Sequence, residues 1–125
     1  MPMVKIEILE GKTSEYKKSV LNGVKNAVKD AVAVDEIKIV QRLYEISEET
    51  CTIPSDRSKN LTIIEITLYP GRPESTKKKL FEEIVKNLSE EPGIEAGDII
   101  TVLLEPPMEN WLFKYPDWYL RIQIK

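Results

Sequence analysis

The 125-residue chain has no histidine and a single cysteine, Cys51. Those counts remove every histidine-based triad or zinc site and any intramolecular disulfide. No glycine-rich phosphate loop is present either. Acid–base chemistry must therefore come from carboxylates, lysines, arginines, tyrosines or the amino terminus. Pro2 follows Met1 directly and heads the alternating stretch "MVKIEIL". Removal of Met1 turns the proline nitrogen from an inert amide into a secondary amine. An α-amino group starts near pKa ~7.7–8, and an apolar wall lowers that value by disfavouring the charged form. A base poised near the working pH moves protons best, which equips Pro2 to take a proton from a carbon beside a carbonyl and return it elsewhere. The plain alternative is a proline tolerated at the first residue of a strand. With Met1 retained, only that alternative is left.

The arginines are four: Arg42, Arg57, Arg72 and Arg121. Arg72 sits in "PGRP", between a strand end and a helix start, where α/β folds gather anions. Arg57 sits in "SDRS", just ahead of the same strand. Each reads either as an anion contact or as one half of a surface ion pair. Cys51 has no base beside it in sequence and reads as a bystander thiol.

These residues need a scaffold, and the composition supplies one. At 42% hydrophobic and 31% charged, with a net charge of −3, the chain has the balance of one compact globular domain. It lacks the basic surplus or stripe of a nucleic-acid binder: "KTSEYKK" and "STKKK" are flanked by acids and read as solvated helix faces. No apolar run reaches the length of a membrane span, and the N-terminus lacks the pattern of a signal peptide. A reducing cytoplasm fits the single cysteine.

Shifted against itself by 60 residues, the chain repeats without a gap, residues 4–45 lying over 64–105. Gly11 meets Gly71, Lys17 and Lys18 meet Lys77 and Lys78, and Glu45 meets Glu105. Lys12 is the counterpart of Arg72, and Thr62 the counterpart of Pro2. Thr62 is internal, so only the first copy can offer an amine. Each copy reads as β-α-β. Val4, Ile6 and Ile8 alternate on one strand; Ile64, Ile66 and Leu68 repeat them. Helices are expected from about Ser14 to Ala33 and from about Glu74 to Glu90, with Pro73 at the first helical position of the second. Their apolar stripes are Val20, Leu21, Val24, Ala27, Val28 and Leu80, Phe81, Ile84, Val85, Leu88. A crossover helix of that length requires parallel strands within each unit.

The expected fold is therefore α/β (α+β): duplicated β-α-β units forming a four-stranded mixed sheet, two helices on one face, and a C-terminal strand from "WYLRIQIK". The units span 2–45 and 62–105, joined by a polar loop at 46–61 and followed by a tail at 106–125, all within one domain. The sheet face away from the helices carries Met3, Lys5, Glu7, Ile63, Glu65, Thr67 and Tyr69. It is too apolar in places to stay wet, and self-association in a closed symmetric ring would cover it.

The assembly resembles the tautomerase superfamily, whose members are β-α-β duplicates that start with Met-Pro, and within it the longer single-chain group that includes malonate semialdehyde decarboxylase. The likeness rests on the opening strand with "EGKT", on "DRSKNLTIIEITLYPGRPESTKKKLFEEI" and on "PGIEAGDIITVLLEPPMENW". It implies a homotrimer with no cofactor, acting on a small carboxylate-bearing 2-oxo acid or enol by keto–enol proton transfer. Pro2 would be the general base. Arg72 and Arg57 would hold the substrate carboxylate by bidentate hydrogen bonds. Lys12 either lines the pocket or faces solvent, and Asn110 and Trp111 either shape the pocket or pack as a turn and a core aromatic.

The chain departs from the family pattern in two places. The decarboxylase-like members carry an acid followed by arginine near the start of the second strand. Here "DEIKI" puts Lys38 and Ile39 in that register, with Asp35 and Glu36 just ahead. Plain tautomerisation needs no such acid, whereas a decarboxylase or hydratase loses a participant. After "ENWLF" the tail is bulky where relatives are glycine-rich, and Tyr115, Trp118 and Tyr119 would cover the pocket or seal an interface. The alternatives are thus a decarboxylase or hydratase of the same superfamily, or a non-enzymatic trimeric binding protein if Met1 stays.

Overall fold

The computed structural model describes residues 2–112. The expected C-terminal strand, Tyr115, Trp118, Tyr119, Arg121 and the state of Met1 lie outside the described residues. The elements run β1 (Met3–Leu9), α1 (Ser14–Val32), β2 (Val40–Ile46), β3 (Thr62–Thr67), α2 (Glu74–Glu90) and β4 (Ile99–Leu104). They build one sheet in the order β2-β1-β3-β4. β1 runs parallel to β2 and β3 parallel to β4, while β1 and β3 are antiparallel at the centre. This is the mixed four-stranded sheet that the duplication requires.

The 60-residue offset holds in three dimensions. Gly11 and Gly71 leave their strands at φ 104° and 111°, a left-handed turn that suits glycine. Lys17 and Glu45 pair at 3.0 Å, and Lys77 with Glu105 repeats the contact. Short 3-10 turns precede β2 and β4 at Glu36–Lys38 and Ala96–Asp98. In the β1–β3 ladder Lys5 stands opposite Glu65, its own counterpart, so the pseudo-two-fold axis passes between them.

The helices bury one stripe each against one sheet face. Val20, Val24, Ala27, Val28 and Val32 from α1 meet Leu80, Ile84 and Leu88 from α2 over Val4, Ile6, Ile64 and Ile66. Each fully buried aliphatic side chain here contributes about 1.5–3 kcal/mol relative to exposure. Phe81, expected in the stripe of α2, is instead exposed, because it sits at the edge of a helical arc already filled by Leu80 and Ile84. Thr13 caps α1 by accepting from the Tyr16 N–H at 3.1 Å. Pro73 stands one residue before α2, at the cap position in extended backbone, rather than at the first helical residue. No helix among the described residues is long and apolar enough to cross a membrane.

The opposite sheet face has no covering layer among the described residues. Its central residues are half-buried, and its edges add Val40, Tyr44, Val102 and Leu104, all exposed. It is more apolar than the two central strands alone implied. Lys5 spans its middle, 3.9 Å from Glu65 and 5.5 Å from the centre of the Tyr44 ring.

Candidate active site

The antiparallel centre brings the start of β1 beside the end of β3. Met3 pairs with Thr67, so Pro2 falls across from Leu68, and the chain from Tyr69 to Arg72 leaves the sheet at the same end. β2, parallel to β1, also begins there: the Val40 N–H donates to the Pro2 carbonyl at 3.0 Å. Pro2 is buried, and Leu68 opposite it is 1% exposed.

Arg72 is half-buried at the foot of α2, and its Nη1 donates to the Tyr69 carbonyl at 3.0 Å. That bond fixes one corner of a guanidinium that carries five N–H donors. Trp111 returns from β4 to the same end. Its ring meets Tyr69 edge-to-face, with centroids 4.8 Å apart at 74°, and its Nε1 donates to the Pro106 carbonyl at 3.0 Å. Asn110 closes a short turn, its N–H bonded to the Pro107 carbonyl, and its side chain is exposed. One end of the sheet thus gathers Pro2, Arg72 and Trp111, joined by Tyr69, which the sequence reading placed only on the open face.

Lys12 and Arg57 lie at the other end. β1 ends where β3 begins, Ile8 pairing with Thr62, and about 20 Å of strand separates the two ends at ~3.3 Å per residue. Within one chain, neither residue reaches Pro2. Lys12 instead donates to Asn60 Oδ1 and sits 5.1 Å above the centre of the Tyr16 ring. Beside them Asp98 accepts from the Ser58 N–H at 2.7 Å and from Ser58 Oγ at 2.6 Å. These two bonds hold the Asp98 carboxyl below its usual range, and the Arg57 and Lys12 charges add to the effect. The Tyr16 phenol is pushed up, first by burial and then by Asp98. Asp98 was visible in "GDII" as the counterpart of Lys38, but nothing in the sequence tied it to a serine 40 residues earlier.

Lys38 ends its 3-10 turn with an exposed side chain two residues ahead of Val40. The acids nearby are engaged: Asp35 caps the turn, and Glu36 lies 4.0 Å from Lys29. A groove of about 610 Å³ runs between α1 and α2, lined by polar residues such as Ser19, Asn26, Glu83 and Lys86. It lies between the two helices and reads as a solvated cleft. No group of three or more metal-ligating side chains converges among the described residues.

A duplicated β-α-β sheet, with a buried proline heading one strand and an arginine at the adjoining strand end, defines the structural class. The chain belongs to the tautomerase family: the family model for tautomerase enzymes matches residues 38–114. It is 28% identical to the probable tautomerase YrdN of Bacillus subtilis (strain 168), over 90% of this chain and 91% of that protein. A second relative from that strain, the probable tautomerase YusQ, is 25% identical over 90% of this chain and 93% of its own length. Among solved structures the fold matches malonate semialdehyde decarboxylase with a TM-score of 0.82, at 21% identity over 97% of this chain and 98% of that one. It also matches a fused 4-OT symmetric trimer with a TM-score of 0.77, at 18% identity over 87% and 89%. At these identities the two structures share the fold.

Proposed function

We propose that this chain, one tautomerase-like domain, catalyses keto–enol proton transfer on a small carboxylate-bearing 2-oxo acid or enol, with Pro2 as the general base after loss of Met1. The observation that carries this reading is the burial of Pro2 at the sheet end that also holds Arg72 and Trp111. The neutral amine of Pro2 removes a proton from the carbon next to the carbonyl. The resulting prolinium returns it to the other position of the enolate, so the base is regenerated and no cofactor is consumed. Arg72 holds the substrate carboxylate in charge-assisted hydrogen bonds, and Trp111 and Tyr69 form an apolar wall that excludes water. Asn110 lies at the rim.

The open sheet face supports assembly as a homotrimer, the arrangement of the fused 4-OT structures that share the fold. In such a ring, Lys12 and Arg57 of one protomer serve the Pro2 site only if a neighbour presents them. A cytoplasmic setting accords with the single free cysteine. A decarboxylase or hydratase reading lacks a carboxylate in the register of Lys38, which is why proton transfer alone is preferred.

Intact mass of the protein from its native source tests the premise: a mass that includes Met1 overturns the mechanism. With Met1 gone, phenylenolpyruvate turnover is expected to fall by about 10²–10⁴-fold in Pro2→Ala. In Arg72→Ala the loss of kcat/KM should be similar or smaller. Unchanged turnover in both variants overturns the Pro2 mechanism, and a wild type no faster than the uncatalysed reaction leaves a non-enzymatic trimer.

A further inference from the structure

The pseudo-two-fold that relates Pro2 to Thr62 also relates Arg72 to Lys12, so the far end of the sheet is a structural twin of the Pro2 end. Thr62 is fully buried, and its hydroxyl donates to the Asn60 carbonyl at 2.9 Å. This end therefore has no amine. It does have cations. Lys12 and Arg57 both stand close enough to Asp98 to act on its charge. The two Asp98 oxygens are already taken by Ser58, whose Oγ in turn accepts from the Asn60 N–H at 3.0 Å. Asp98 is thus engaged in shaping the loop, with the Lys12 and Arg57 charges beside it. Arg57 makes only a long contact with its exposed neighbour Asp56, at 4.0 Å.

A third group points the same way. The Tyr16 hydroxyl is shielded from solvent and has no hydrogen-bond partner among the described residues. Burying a hydroxyl without a partner costs about 1–3 kcal/mol, so an acceptor brought to it gains more than an ordinary contact. Lys12 lies over the Tyr16 ring and donates to Asn60 Oδ1. A lysine stem is flexible, so the Lys12 ammonium can turn from Asn60 toward a bound anion beside the Tyr16 ring.

We infer that the end of the sheet opposite Pro2 is a second binding site for small carboxylates, formed by Lys12, Arg57 and the Tyr16 hydroxyl on a loop held by Ser58 and Asp98. It binds without turning over, because its strand begins inside the chain. The raised phenol pKa keeps Tyr16 a donor at neutral pH.

Titration of the full-length, isotope-labelled protein with pyruvate, followed by amide chemical shifts, tests this. The Ser58 and Asn60 amides should move with a midpoint of their own, distinct from that of residues flanking Arg72. Lys12→Ala combined with Arg57→Ala should weaken the Ser58 and Asn60 response by about a hundredfold and leave the Arg72 response within about twofold. Tyr16→Phe should weaken the same response by about tenfold. If the double variant loses its native shift dispersion, Lys12→Gln alone, which keeps an amide partner for Asn60, should still weaken the response. Pyruvate that leaves Ser58 and Asn60 unmoved in the intact protein overturns the inference. So does a response at those amides that disappears in Arg72→Ala, because that outcome makes the two ends a single site. The readout is binding, so it stands or falls independently of turnover at Pro2.

Discussion

Lys38 and Asp98 hold equivalent places in the two β-α-β units and behave in opposite ways. Lys38 closes its 3-10 turn with its side chain in solvent. Asp98, at the end of the matching turn, is 6% exposed and grips Ser58 with both carboxylate oxygens. The backbones agree; the difference lies in what precedes each unit's first strand. Unit two is entered through the polar loop, whose last turn folds over Thr62 and needs an anchor. Unit one is entered at Pro2, whose carbonyl accepts from the Val40 N–H. The loop that joins the copies is therefore anchored at one strand end, through Ser58 and Asp98. Duplication produced two similar ends, and the connection between the copies made them unequal.

The largest expected effect tests that inequality through chemistry. Retention of one residue ahead of Pro2 should reduce phenylenolpyruvate turnover by at least about a hundredfold, since the amide nitrogen has no basicity. Lys12→Ala in a Met1-free background should leave kcat within about twofold unless a neighbouring protomer delivers Lys12 to the site. Steady-state kinetics on both proteins separate the ends.

Stability gives the next comparison. Asp98→Ala should cost about 2–3 kcal/mol in urea unfolding, because it strips two charge-assisted hydrogen bonds and leaves Ser58 unpaired. Lys38→Ala, at the equivalent exposed place, should stay within about 0.5 kcal/mol. The pH dependence follows from the sign of the shift. The folded pKa of Asp98 lies below its ordinary 3.8, so the unfolded chain takes up the proton first as pH falls. Its contribution is present in full above that value and is lost as pH drops through the folded pKa. Urea midpoints collected between pH 2 and 6 should show the wild type and Asp98→Ala converging at the acid end.

A smaller effect comes from the turns after the two helices. Ala33 and Gly93 are equivalent, and both adopt positive φ, 58° and 98°. A non-glycine residue in that region is strained by about 1–2 kcal/mol. Ala33→Gly should therefore stabilise the protein by about 1 kcal/mol, and Gly93→Ala should destabilise it by a similar amount, although a Cβ at Gly93 meets nothing within 4 Å. Thermal melts of both variants read the asymmetry directly.

The smallest effect sits on the axis itself. Two identical copies would place like residues opposite each other between β1 and β3; fusion permits Lys5 and Glu65 instead. The pair is half-exposed and 3.9 Å apart, so Lys5→Glu should cost less than about 1 kcal/mol in the isolated protomer, and the exchange Lys5→Glu with Glu65→Lys should restore it. A much larger effect on assembly than on protomer unfolding, seen by analytical ultracentrifugation, would place the axis inside the subunit interface.

Much of the fold could be read from residue order. Alternation at Val4, Ile6 and Ile8, a 3.6-residue stripe at Val20, Val24 and Val28, and their repetition 60 residues later set the strands, helices and parallel pairing within each unit. Phe81 was misjudged because periodicity locates an apolar arc but not its edges. The candidate site was legible in part. Pro2 and Arg72 announce themselves by type and position, at a strand head and a helix foot. Their grouping with Trp111, and the separation of Lys12 and Arg57 from them, depend on how β1 and β3 run against each other.

Sequence alone determined the duplication, the absence of histidine and the correspondence of Pro2 with Thr62, because these are matters of residue identity and order along one chain. Tertiary structure decided which charges share an end. Antiparallel pairing of two equivalent strands sends the start of one to the finish of the other. Arg72, 70 residues from Pro2, thereby comes to its end of the sheet, while Lys12, only ten residues away, is carried the full length of a strand from it.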